Sequence, residues 1–269
     1  MSMADDQGVG LYSGLIVSST LGATLVYTIP VALGLINKDQ QGDFATGIMI
    51  GLITVPAGAV AGGLSMGLDA VLLIRNTIPV ALISGLVIAG FLILKDRVIR
   101  GFMLFARILR IITILSLGAA AFTYITHTPL INGLEPIENA MGIVADMSIV
   151  QLGSIPLAYL FIYLLRRPLA AAGRLLHIND VAAAAIPISC VNVLSAFMLI
   201  KDMDRRGVII SAAWYTNAIC IITAHYAYTQ SIDPRMIAPM MAAKLTGGIL
   251  AVILACIMAG NYKKVKEEC

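Results

Sequence analysis

Apolar residues in this chain run on in unbroken stretches joined by short polar intervals. They neither alternate nor keep to one helical face. The first stretch, "LYSGLIVSSTLGATLVYTIPVALGLI" (11–36), has no charge in 26 residues. As a helix rising ~1.5 Å per residue it reaches about 39 Å, more than the ~30 Å hydrocarbon core of a bilayer. Further apolar stretches occupy 44–66, 70–94, 104–126, 141–165, 181–200, 208–230 and 236–260. The pattern predicts an all-α, polytopic integral membrane helix bundle of seven to eight transmembrane segments, a single transmembrane domain over 1–269.

Composition agrees. Hydrophobic residues make up 59% and charged residues 12%, against about 25% charged in an ordinary soluble domain, and the mean hydropathy is +0.92. The N-terminal "MSMADDQGVG" carries Asp5 and Asp6 and no Lys or Arg. It lacks the basic region of a secretory signal, so the first segment is expected to be retained. Cys190, Cys220, Cys256 and Cys269 show no CxxC spacing and read as inert thiols, with no metal or cofactor expected. No HExxH, Walker loop or Gly-rich nucleotide motif is present, which leaves a metalloprotease or a nucleotide-driven pump unsupported. A net charge of +3 gives no reason to expect a nucleic-acid partner.

The placement of the positive charges says more. If all eight stretches span, Lys and Arg divide ten against seven between the two sides. If 181–200, "VAAAAIPISCVNVLSAFMLI", enters and leaves on one side, the division becomes fifteen against two, Arg75 and Arg235, with Lys244 inside the bilayer. Positive residues concentrate on the cytoplasmic side, so the second arrangement predicts a re-entrant segment. Pro187 and Ser189 are the expected break, with Asn192 just beyond it, and broken helices of this kind mark carrier sites.

Small-residue spacings at Gly47/Gly51, Gly58/Gly62 and Gly63/Gly67 predict close helix packing and leave room for a homo-oligomer. Prolines recur beside polar groups at Pro30, Pro56, Pro79, Pro156, Pro187 and Pro239, which favours a bundle built to bend or to line a cavity. "GLSMG" (63–67) matches the GxSxG elbow, but the motif needs a strand before it. An intramembrane hydrolase using Ser65 and His225 is therefore a remote alternative. Ionisable and amide groups at depth are functional candidates. Lys244 lies about nine residues into the last stretch, roughly 13 Å along the helix. Its amine either snorkels outward or pairs with Asp69 or Asp146. Trp214, Tyr215, Tyr226 and Tyr228 fit either an interfacial belt or a binding site, and His225 either a structural or a proton-carrying role.

Taken together, "LYSGLI", "TLVYTIPVALGLI", "AGAVAGGL", "NTIPV", "RPLAAAGRLLHINDVAAA", "KDMDRRG" and "PMMAAKLTGG" resemble the bacterial ethanolamine utilisation transporters, in order along essentially the whole chain. The resemblance implies a bacterial inner-membrane permease that takes up ethanolamine, a small protonated amino alcohol, as a secondary carrier or facilitator and not as an enzyme. An ammonium head suits carboxylates and aromatic faces, and a hydroxyl suits amides and carbonyls. The substrate-binding residues expected are Asn76, Asn192, Trp214, Asn217, His225 and Lys244, of which Asn76, Asn192, His225 and Lys244 match family positions. The chain departs from the family pattern at Ala224 before His225, where an acidic residue is expected, and at Asn192-Val193-Leu194-Ser195. It also lacks a front portion, on the order of a hundred residues of membrane segments in the family. A non-transporting fragment, or a subunit of a larger assembly, is the alternative reading.

Overall fold

A computed structural model describes residues 10–94, 96–131, 133 and 136–267. Asp5, Asp6, Lys95, Glu135 and Cys269 lie outside the described residues. The helices are α1 (Tyr12–Leu35), α2 (Gln41–Ser65), α3 (Ala70–Leu94), α4 (Asp96–Thr126), α5 (Ile137–Leu176), α6 (Asp180–Val191), α7 (Val193–Met198), α8 (Arg205–Ala218), α9 (Ala224–Ile232) and α10 (Ile237–Glu267). No strand occurs among the described residues. Among the described residues, five helical stretches are long and apolar enough to cross a membrane: Tyr12–Leu35, Gln41–Ser65, Val71–Leu94, Arg100–Thr126 and Pro234–Met258.

Helix α1 opens with wide π turns over Tyr12–Gly22 and Thr24–Thr28 and becomes α-helical over Ile29–Leu35. Pro30 therefore falls in the first turn of the α-helical part, where a missing N–H costs least. Thr20 and Thr24 hydroxyls donate to the carbonyls four residues earlier, Ile16 and Thr20. Back-bonding of this kind competes with the regular ladder.

The bundle is organised around α2. Ideal Cβ atoms at Gly47 and Gly51 would collide with Ile209, Ala212 and Thr216 of α8, and at Gly58 and Gly62 with Ala243 of α10. Two of the three expected glycine pairs thus seat two different helices; at the third, Gly63 packs on Leu73 and Tyr12, while an added Cβ at Gly67 meets nothing within 4 Å among the described residues. Gly67 ends α2 with φ +73°, while Leu68 N–H reaches back to Gly63 O at 3.2 Å in a Schellman turn. Ser65 donates to Gly62 O at 2.8 Å at that helix end, so "GLSMG" is a helix terminus and not an elbow. Gly67→Ala is expected to cost about 1 kcal/mol, read as a lowered midpoint of thermal unfolding.

One end of the bundle gathers residues 40–43, 176–179, 200–206 and 256. Arg205 Nε pairs with Asp43 at 2.8 Å, Arg206 donates to Leu176 O and Cys256 O, and Gln40 donates to Ile200 O. At the other end Tyr12, Leu15, Met66, Leu68, Leu73 and Met236 form one cluster. Outside the helices there, Asp233 is hydrogen-bonded by Arg235 at 2.7 Å, which holds its carboxyl below the usual carboxylate range.

This frame settles the path of 181–200. Asn179 N–H donates to Asp204 Oδ1 and Asn179 Nδ2 to Asp202 O, both at 2.9 Å. Helices α6 and α7 therefore make a hairpin whose two feet stand together at the first end of the bundle. The break lies at Asn192 (φ −138°, ψ 105°), and α6 continues through Pro187 and Ser189, where the sequence had placed it. The stretch 208–230, expected as one span, is two helices parted at 219–223. With the native cysteines removed, cysteines introduced at the exposed Lys38 and Lys201 are expected to react with an impermeant maleimide from one face of the membrane. One at Arg235 is expected to react from the opposite face; labelling of Lys201→Cys from the face opposite Lys38→Cys would contradict the hairpin.

Candidate functional site at two helix breaks

The two breaks meet. Ser189 O and Cys190 O, at the hairpin tip, accept from the N–H groups of Cys220 (2.8 Å) and Ile222 (3.2 Å). Thr223 Oγ1 donates to Val191 O at 2.7 Å, and Trp214 Nε1 to Ser189 Oγ at 3.2 Å. Residues 219–223 contain no glycine or proline. Their irregular path, with Ile219 extended and Cys220 at φ +49°, is held by the carbonyls of the facing break. Each break thereby satisfies backbone groups that a helix end leaves orphaned.

Beside this junction four helices converge on Asn217 and Lys244, both fully buried. Asn217 Nδ2 donates to Gly51 O at 3.1 Å and Thr54 Oγ1 at 3.2 Å, which spends both amide protons on α2. Among the described residues Asn217 Oδ1 has no hydrogen-bond partner, and it packs on Gly247. Lys244 Nζ donates to Ser19 O at 2.7 Å and Asn217 O at 3.0 Å. Gly51 is the eleventh of the 25 residues of α2, so the cluster sits about 15 Å from that helix's start. That is mid-depth.

Lys244 follows neither expected course. It does not snorkel, being 0% exposed, and its ammonium donates to carbonyls where Asp69 or Asp146 is expected from the sequence. Asp69 instead caps the start of α3, accepting from Val71 N–H at 2.9 Å. The energetics explain how carbonyls suffice. Taking an ammonium out of water costs several kcal/mol. Two hydrogen bonds to a charged donor return about 1.5–3 kcal/mol each, and the negative end of α8 adds a further favourable contribution.

The other expected residues divide. Trp214 is only 9% exposed, packed inside the bundle where an interfacial belt residue would lie on its outer surface, and also lines an apolar cleft of about 210 Å³ with Gly173, Ile186 and Ile253. That lining offers nothing to an ammonium ion. His225 is half-buried at the start of α9, with Nδ1 donating to Ile219 O at 2.9 Å, which leaves Nε2 as the acceptor of the neutral ring. Asn192 is exposed and caps α7 by accepting from Ser195 N–H at 3.1 Å. Asn76 donates within α3 to Leu72 O at 2.8 Å, apart from the junction. Sequence reasoning missed Ser19, Thr54, Ser189 as a hydrogen-bonding group, and Thr223. Hydroxyl residues inside apolar stretches were the available signal, though one shared with every membrane helix.

Known proteins bear on this arrangement as follows. The family described as "Ethanolamine utilisation protein, EutH" matches residues 1–258. The probable ethanolamine permease EutH of Listeria monocytogenes is 35% identical, covering 96% of this chain and 70% of its own length. The protein of the same name from Salmonella typhimurium is 33% identical over 98% and 71% respectively. An uncharacterized Bacillus subtilis protein, YxeR, is 32% identical over 95% and 69%. No solved structure matches the chain. Whole-chain similarity of this extent, in an all-helical membrane bundle, places the protein in the EutH ethanolamine utilisation family.

Proposed function

We propose that this multi-pass membrane protein carries ethanolamine across the bacterial cell membrane as a secondary carrier or facilitator. The observation that carries the reading is the meeting of two helix breaks at mid-depth, tip carbonyls of Ser189 and Cys190 on amides of Cys220 and Ile222. Irregular backbone survives at membrane depth only where protein or a water-filled cavity covers it, and paired breaks of this kind form carrier sites. Asn217 Oδ1 adds support, since a buried acceptor without a donor forgoes about 1–3 kcal/mol that a substrate ammonium or hydroxyl restores. His225 Nε2 is a second acceptor.

With the Lys- and Arg-rich end inside, the α6–α7 hairpin re-enters from the cytoplasm while α8 and α9 together cross. Withdrawal of the hairpin tip from residues 219–223 then exposes the junction to the cytoplasm, with Asn192 holding the tip's bend. The test is uptake of labelled ethanolamine by proteoliposomes containing the purified chain. Ser189→Ala with Thr223→Val removes the two side-chain bonds that tie the tip to α8 and to the 219–223 break, along with the bond from Ser189 Oγ to Ile186 O, and is expected to lower the initial rate at least tenfold at unchanged yield of folded protein. Uptake no greater than that of protein-free liposomes would defeat the proposal. So would a double variant that matches the wild type.

A further inference from the structure

Lys244 has a place in the fold that substrate binding alone does not explain. Its ammonium is fully buried, and its two hydrogen bonds go to backbone carbonyls from different helices, Ser19 of α1 and Asn217 of α8. The ion pairs found among the described residues, Arg205 with Asp43 and Arg235 with Asp233, lie at the two ends of the bundle. The Asn217 carbonyl belongs to the last turn of α8, where the helix stops and its carbonyls lose the amides of a following turn. Oxygen ligands of this kind, at the negative end of a discontinuous helix, are what broken-helix carriers offer to a monovalent coupling ion. Here a tethered primary ammonium already fills the place.

We propose that the Lys244 ammonium is a resident cation that takes the position of a coupling metal ion, so that this carrier moves its substrate without Na⁺ or K⁺. The amine is tethered to the chain and cannot diffuse away, and in its protonated form it neutralises the α8 terminus while the hairpin tip moves. The uptake half of the proposal rests on the transport reading above; the binding half does not.

Lys244→Ala removes the amine and three methylenes from a closed site, so n-propylammonium and Na⁺ are the probes. With the full chain in detergent, the melting temperature of Lys244→Ala is expected to rise saturably with NaCl or n-propylammonium chloride, relative to choline chloride at equal ionic strength. The wild type is expected to show no such rise. Wild-type uptake of labelled ethanolamine is expected to be equal in Na⁺, K⁺ and choline media, while uptake by Lys244→Ala returns only with Na⁺ or n-propylammonium. A folded Lys244→Ala protein indifferent to both cations overturns the proposal, as does wild-type uptake that fails when choline replaces Na⁺. Should Lys244→Ala not fold, Lys244→Met fills the same space without charge. It is expected to fold and to lose at least tenfold in uptake, and wild-type rates in that variant overturn the proposal. A wild-type chain that takes up no ethanolamine in any medium removes the transport reading, yet the cation-dependent melting of Lys244→Ala still decides the binding half.

Discussion

Asn217→Leu is expected to abolish ethanolamine uptake, a loss of at least a hundredfold in initial rate, while the protein stays folded. Leucine branches at the same carbon as asparagine, so the close packing on Gly247 is kept. What disappears is polar. Two donated hydrogen bonds, to Gly51 O and Thr54 Oγ1, are lost, and with them the unpartnered acceptor Oδ1. The stability cost is about 2 kcal/mol, because net hydrogen bonds contribute about 1 kcal/mol each and Thr54 keeps its bond to Gly247 O. A modest stability loss beside a large functional one separates a binding role from a structural one. Uptake within twofold of the wild type would remove Asn217 from the site.

Gly51→Val is expected to have the largest effect on folding. An added Cβ at Gly51 meets Thr216 and the Ala213 carbonyl, and the two further methyls of valine have no space between α2 and α8. Overpacking of a core costs about 1–3 kcal/mol where side chains yield. Here a backbone carbonyl blocks the way, and a loss beyond 3 kcal/mol is expected, read as the disappearance of a monodisperse peak in detergent. Gly14→Ala provides the contrast. Among the described residues nothing lies within 4 Å of its added Cβ, and replacing a helical glycine by alanine stabilises by up to about 1 kcal/mol. If Gly51→Val melts like the wild type, α2 and α8 do not touch as described.

The site was half legible in advance. Trp214, Asn217, His225 and Lys244 stand out because polar groups are rare in apolar stretches, and all four lie at or beside the junction. Their partners were invisible. From the sequence, Lys244 is expected either to snorkel outward or to pair with a carboxylate, Asp69 or Asp146. It is held instead by main-chain oxygens, which every residue has and no sequence pattern marks. Asn192 was noticed for lying near a break, and its role turned out to be making that break, as the cap of α7.

Solvent and helical class were determined by the sequence alone. Long apolar runs admit only helices in lipid, where every backbone group must bond within its own segment. The uneven distribution of Lys and Arg anticipated that 181–200 returns to the side it leaves, as the bonds from Asn179 to Asp202 and Asp204 place it. Tertiary structure decided where the helices stop. Pro187 looked like a breaker, yet the helix runs through it, because proline removes one bond that neighbours can do without. "ICIIT" (219–223) contains no breaker, yet the helix parts there, because Ser189, Cys190 and Val191 across the interface supply the carbonyls that an unwound strand needs. A break with its own proline is a local property. A break that needs another break to satisfy it exists only once the two segments have met.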